Sequence, residues 1–203
     1  LNIAYSSIFN FQTRGMSTPY PRKPDPLSLA AIDDALLDAA VSEARSHARR
    51  RAMVRLHEFD EPVQRMLNAV EPESYVRPHR HVSPVKPEAF VVLRGSVLVV
   101  RFADDGTPVE GLIVSEDGPV RAAEVPGGAW HTFVSLRSGT VLFEVTQGPY
   151  DETTNKEFAT WAPTQEEREA AGAFIAGLKA RFEPEFPGLA AINQIEAEED
   201  DIC

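Results

Sequence analysis

The feature that most constrains this chain is the stretch from Pro62 to Pro149. Short runs rich in Val, Phe, Leu and Ile alternate there with clusters of Gly, Pro, Asp and Ser. Gln64–Val70, Ser74–His81, Ala89–Leu93 and Val97–Ala103 read as strands, as do Val109–Ser115, Val120–Val125, Thr132–Leu136 and Thr140–Thr146. Turns are expected at Asp104-Asp105-Gly106, Glu116-Asp117-Gly118, Pro126-Gly127-Gly128 and Arg137-Ser138-Gly139. About eight short strands so punctuated imply a sandwich or barrel.

Helical spacing frames this region. Leu29, Ile32, Leu36 and Ala40 predict a helix over Leu29–Ala48 with Ser28 as N-cap. A second helix is expected over Thr164–Phe182. Thr164 would cap it, and Ala170/Ala171, Phe174/Ile175 and Leu178 would form its apolar stripe. Arg49-Arg50-Arg51 reads as a basic turn closing the first helix, with contact to a ligand phosphate as the alternative. The expected organisation is an extended arm (1–27), a helix and connection (28–61), the barrel (62–150), a loop and helix packed on it (151–187), and a disordered acidic tail (188–203). Residues 1–15 read as lying upstream of a natural start at Met16.

Composition narrows the function. A chain of 203 residues can bury a core without covalent staples. A net charge of −11 speaks against non-specific nucleic-acid binding. The single cysteine, Cys203, permits no internal disulfide. No apolar run approaches the ~20 residues of a membrane span, and the start does not read as a signal peptide, so a cytoplasmic location is expected. Nothing matches a nucleophile elbow, a phosphate-binding glycine loop or a dinucleotide fingerprint.

Three of the five histidines fall in two strings within the strand region. In Pro78-His79-Arg80-His81 the two imidazoles lie two residues apart, on one face of a strand. Glu88 opens the next strand and can reach the same space. In Pro126-Gly127-Gly128-Ala129-Trp130-His131 a glycine turn delivers His131. Three imidazoles and a carboxylate suit one divalent transition metal, whose identity (Fe, Zn, Ni or Mn) the ligand types do not fix. Glu88 could instead support a ligand or form a salt bridge. His47 and His57 read as ordinary satisfied polar residues. Strand parity points Tyr75 and Arg77 inward with His79 and His81. Arg77 would grip an anionic substrate group, or pair with Glu73 or Glu144. Phe90, Val92 and Phe133 read as apolar wall. Gln64, Asn68 and Glu144 are lining candidates, and Tyr150, Lys156 and Trp161 could form a rim, Trp161 more naturally as an anchor for the returning chain.

These strings resemble the two motifs of the cupin superfamily: His79, His81, Glu88 and Gly95, then Pro126, Gly128 and His131. Six residues separate His81 from Glu88, where the family has three or four. A narrower resemblance, over about 45–167, is to the WbuC family of cupin metalloproteins. It rests on Gln64-Arg65, the run Tyr75 to His81 with Glu88, Trp130-His131-Thr132, Gly148-Pro149-Tyr150, Lys156-Glu157-Phe158 and Ala159 to Pro163. The resemblance implies an all-β double-stranded β-helix, or jelly-roll barrel, with flanking N- and C-terminal helices, a central metal and a homodimer. Its setting in polysaccharide and O-antigen gene clusters implies a small sugar-like or anionic ligand. The metal would then act as a Lewis acid in an isomerase or epimerase, with Arg77, Glu144 and Tyr150 as catalytic candidates. An Fe(II) dioxygenase and a non-catalytic binding module are the alternatives.

Overall fold

In the computed structural model, residues 18–19, 29–153 and 155–189 are described. The extended arm apart from Thr18–Pro19, Met16, Ser28 and the acidic tail beyond residue 189 with Cys203 lie outside them. Strands form where the sequence alternates around β-branched and aromatic residues. They are β1 (Thr18–Pro19), β2 (Arg51–Arg55), β3 (Val63–Val70), β4 (His79–Arg80), β5 (Glu88–Arg94), β6 (Ser96–Phe102), β7 (Pro108–Ser115), β8 (Ala122–Val125), β9 (Trp130–Ser135), β10 (Thr140–Gln147) and β11 (Glu157–Phe158). They assemble into a six-stranded sheet, ordered β1-β2-β3-β10-β5-β8, and a five-stranded sheet, ordered β11-β4-β9-β6-β7. All pairings are antiparallel except β1 with β2.

The facing surfaces of the two sheets enclose an apolar interior of Val70, Phe90, Val92, Val97, Val99, Val114, Val125 and Leu142, with Phe133 against it. The expected apolar wall is therefore real. Each outer face carries a helix. α1 (Asp34–Ser46) lays Leu37, Ala40, Val41 and Ala44 on Val54, Leu67, Ala69 and Val141 of the six-stranded sheet. α2 (Arg168–Phe182) lays Ala171, Ile175, Leu178 and Phe182 on Leu98, Val100, Phe102 and Val134 of the other. With both faces covered, six of the seven residues of β6 are buried, which explains its almost unbroken apolar run.

The helices begin later than the periodicity implies. Asp33, not Ser28, caps α1: its carboxylate accepts from the Leu36 N–H at 3.0 Å, and Leu29 stays exposed. The turn before α2 forms half a capping box, in which the Glu167 carboxylate accepts from the Thr164 N–H at 2.8 Å. Regular helix starts only at Arg168. The expected strand Ser74–His81 contracts to His79–Arg80. Pro78 has no N–H to donate, and the chain before it is irregular. Tyr75 therefore does not share an inward strand face with His79 and His81. Tyr75 is buried in the core beneath α2, and its hydroxyl donates to Pro163 O at 2.8 Å.

Candidate metal centre

The two histidine strings meet because their strands pair. His79 on β4 lies opposite His131 on β9, and Phe158 on β11 flanks His79 from the other side. The turn before β9 is tied to the first string directly: Gly128, at φ +82°, donates its N–H to His81 O at 3.1 Å. An L side chain rarely adopts that φ, so the glycine fits the position. Glu88 opens β5 on the opposite sheet and reaches across the interior. The long spacing between His81 and Glu88 is absorbed by a loop closed by a bridge between Val82 and Val85.

The result is a buried cluster of His79, His81, Glu88 and His131, each between 2% and 7% exposed. One ligand atom from each lies within 4.8 Å of all the others. The tautomers follow from the carbonyls behind the rings. His79 Nδ1 donates to Arg77 O (3.0 Å), His131 Nδ1 to Ala129 O (2.9 Å), and His81 Nδ1 to Asn155 O. A carbonyl only accepts, so each Nδ1 carries a proton and each neutral ring turns the lone pair of Nε2 inward. His81 Nε2 and His131 Nε2 each face a Glu88 oxygen at 3.0 Å, and the buried His79 Nε2 has no partner at all. Lone pair facing carboxylate is repulsive unless a cation lies between. Protons on two rings would relieve two contacts and leave His79 orphaned, whereas one cation shared by four ligands relieves all of them. The donor set thus fits a divalent metal.

Burial drives His79 well below the ordinary histidine value, and Lys156 and His131 push the same way, so this ring stays neutral. Burial works to raise Glu88, but in the metal-free protein protons on the facing His131 and His81 Nε2 atoms would outweigh it, holding the carboxyl well below its usual range; a bound cation takes the place of those protons. Glu144 is the opposite case. Burial and the nearby Glu88 charge raise it well above that range, while Asn68 Nδ2 donates to its Oε2 at 2.7 Å. Two neighbouring carboxyls are thus pushed in opposite directions.

Two adjoining cavities reach this cluster, sharing Arg49, Met53, Glu144 and Lys156. One, of about 600 Å3, touches His79, Asn68, Arg77 and Phe133. The other, of about 530 Å3, touches Glu88, Gln64, His57 and Tyr150. Of the expected residues, Arg77, Glu144 and Tyr150 all border this space. Arg77 pairs with neither Glu73 nor Glu144; its Nη2 donates to Ala159 O at 2.7 Å and it lies 5.6 Å from the Phe158 ring centre. Glu73 instead meets Arg50 at 3.6 Å. Tyr150 stacks on Phe59 at 5.0 Å, and burial with Glu152 and Asp151 raises its phenol, which stays neutral at physiological pH. The Gln64 amide is spent on loop carbonyls, including Glu61 O at 2.8 Å. Trp161 is an anchor, packed on Phe102 and Trp130 at 5.1 and 5.9 Å. His47 and His57 accept from the Arg49 and Arg65 N–H groups, as satisfied polar residues do.

Sequence reasoning missed Lys86, Asn155 and Arg55. Lys86 is buried and donates to Asn155 Oδ1 at 2.7 Å and Gln147 O at 3.2 Å. A lysine in the short loop Val82–Pro87 was the available signal. Asn155 acts through its backbone carbonyl, which has no sequence signature.

Residues 32–114 match a family profile described as Domain of unknown function (DUF6016). No curated protein matches the chain in sequence. Among solved structures it is similar to the capsular polysaccharide assembling protein CapF from Staphylococcus aureus, at 18% identity and TM-score 0.48, over 55% of this chain and 32% of CapF. It is similar to KdgF from Halomonas sp. at 16% identity and TM-score 0.40, over 51% of this chain and 82% of that one. Oxalate decarboxylase OxdC from Bacillus subtilis, in variant form, gives 19% identity and TM-score 0.41, over 54% and 28%. The chain thus spans about a third of CapF. Two sheets closed around an apolar interior, with three histidines and a glutamate converging inside, are the arrangement the motifs imply. The fold is an all-β barrel of two packed sheets with flanking helices, as the sequence leads one to expect. No helix among the described residues is long and apolar enough to cross a membrane.

Proposed function

We propose that this protein binds one divalent metal through His79, His81, Glu88 and His131 and acts on a small sugar-like or anionic metabolite as an isomerase or epimerase. The observation that carries the metal is the convergence of three Nε2 lone pairs and a carboxylate, with all three Nδ1 protons already committed to carbonyls. When bound, the metal supplies Lewis acidity toward a carbonyl or hydroxyl oxygen.

The chain's own residues supply the rest. Glu144, pushed upward by burial and held by Asn68, can deliver a proton beside the cluster and take one back. Tyr150 is a neutral phenol on the same cavity, able to donate to a substrate oxygen. Arg77 orients an anionic group on the side of His79. Phe90, Val92 and Phe133 keep water out of the interior behind the ligands. The likeness to WbuC-type metalloproteins supports a saccharide ligand, and by the same likeness the protein pairs as a homodimer in the cytoplasm.

The test is solvent exchange. Metal-loaded protein is incubated in D2O with a panel of aldoses, ketoses and their phosphates, and the carbon-bound hydrogens are followed by NMR. Enzyme-dependent deuterium incorporation, lost in Glu144→Gln at unchanged metal content, is the expected result. Oxygen consumption without exchange would overturn the isomerase reading in favour of a dioxygenase. Ligand binding with neither would leave a binding module.

A further inference from the structure

The cations of this acidic chain are unevenly placed. Lys and Arg number 20 against 31 Asp and Glu, yet Arg49, Arg51, Arg55, Arg77 and Lys156 all gather on the two cavities beside the histidine cluster. Elsewhere most described arginines pair with carboxylates, as Arg80 does with Glu157, Arg94 with Asp38 and Arg101 with Glu110. Among the described residues, none of the five has a carboxylate within ion-pair distance. Arg51 and Arg77 spend donors on backbone and amide oxygens. Arg49, Arg55 and Lys156 share the 530 Å3 cavity that reaches Glu88 and do not.

Arg55 is the telling member. Its guanidinium lies 3.9 Å from the Phe59 ring centre, and its Nε and Nη1 are buried with no acceptor. Unsatisfied buried donors cost free energy, and three unpaired cations around one cavity repel one another. Both costs are offset when an anion enters. Glu88, Glu144 and Glu152 also line this space, Glu144 accepting from Asn68 Nδ2 at 2.7 Å, yet none of them reaches ion-pair distance of Arg49, Arg55 or Lys156.

We infer that Arg49, Arg55 and Lys156 form an anion subsite that holds the phosphate of a phosphate monoester, whose oxygenated end reaches the histidine cluster. Three cations match a dianion better than a carboxylate, and Arg presents the fork that phosphate oxygens accept. This names the substrate class for the reading given above and rests on it for the second half only.

The experiment is calorimetric titration of the full-length, metal-loaded protein with inorganic phosphate at low ionic strength, with acetate as comparison. Saturable phosphate binding is expected, weakened about tenfold or more in Arg49→Gln/Lys156→Gln, as loss of charge-assisted hydrogen bonds requires. Both positions are exposed, so the variant should fold. Absent binding in the wild type, or equal binding in the variant, overturns the subsite. Acetate binding as tightly as phosphate overturns the phosphate assignment. In His131→Ala phosphate binding should persist; its loss would place the anion on the histidine cluster and overturn the subsite. If the purified protein proves metal-free while phosphate binding still depends on Arg49 and Lys156, the subsite stands and the metal reading falls.

Discussion

Lys86 shows how the ligand geometry is set at one remove. Its ammonium fixes the Asn155 side chain, and the Asn155 carbonyl takes the Nδ1 proton of His81 and so aims Nε2 inward. Lys86→Met keeps the aliphatic stem and removes the donors. Metal affinity is expected to fall about 10–100-fold, measured by chelator competition, with the fold intact. Unchanged affinity would show that Asn155 holds its place without Lys86. The four clustered residues could be found from sequence because metal chemistry restricts residue type and strand parity restricts spacing. Lys86 and Asn155 could not, since a backbone carbonyl leaves no trace in the residue that carries it.

Elements divide by how regularly they face the core. β6 and α2 are legible because Val97 to Val100 form an unbroken apolar run fit for a strand covered on both faces, and Ala171, Ile175 and Leu178 repeat at helical spacing. β2 is not: Arg51-Ala52-Met53-Val54-Arg55 buries only Val54 fully, and so falls within the expected connection rather than among the expected strands. Its pairing with β3 comes from register, Arg51 opposite Val70 through Arg55 opposite Met66, and register is a long-range property. β11 is two residues long, yet it sets Lys156 and Phe158 beside the cluster. At this scale the packing of α2 is testable. Phe182 is 1% exposed and sits where a Cβ on Gly111 would lie 2.6 Å from its ring, so this close approach requires the glycine. Phe182→Ala should cost about 3–5 kcal/mol in denaturant unfolding. A loss below about 1 kcal/mol would mean that α2 is not seated on the barrel as described.

At the scale of the whole molecule, the barrel brings together groups that would not tolerate one another without a ligand. Three imidazoles and a carboxylate converge from opposite sheets, Glu144 is buried beside them, and cationic side chains line the adjoining cavity of a chain that is acidic overall. Metal bound only by the folded state must stabilise it by mass action. A metal-dependent rise in Tm, abolished by chelator, is therefore expected in thermal melts. The most direct test of the central claim is elemental analysis by mass spectrometry of tag-free protein purified without chelators, run beside His81→Ala. Near one equivalent of a divalent transition metal per chain, lost in the variant, is the expected result. No metal in either protein after reconstitution, or the same content in both, would contradict the assignment of His79, His81, Glu88 and His131 as its ligands.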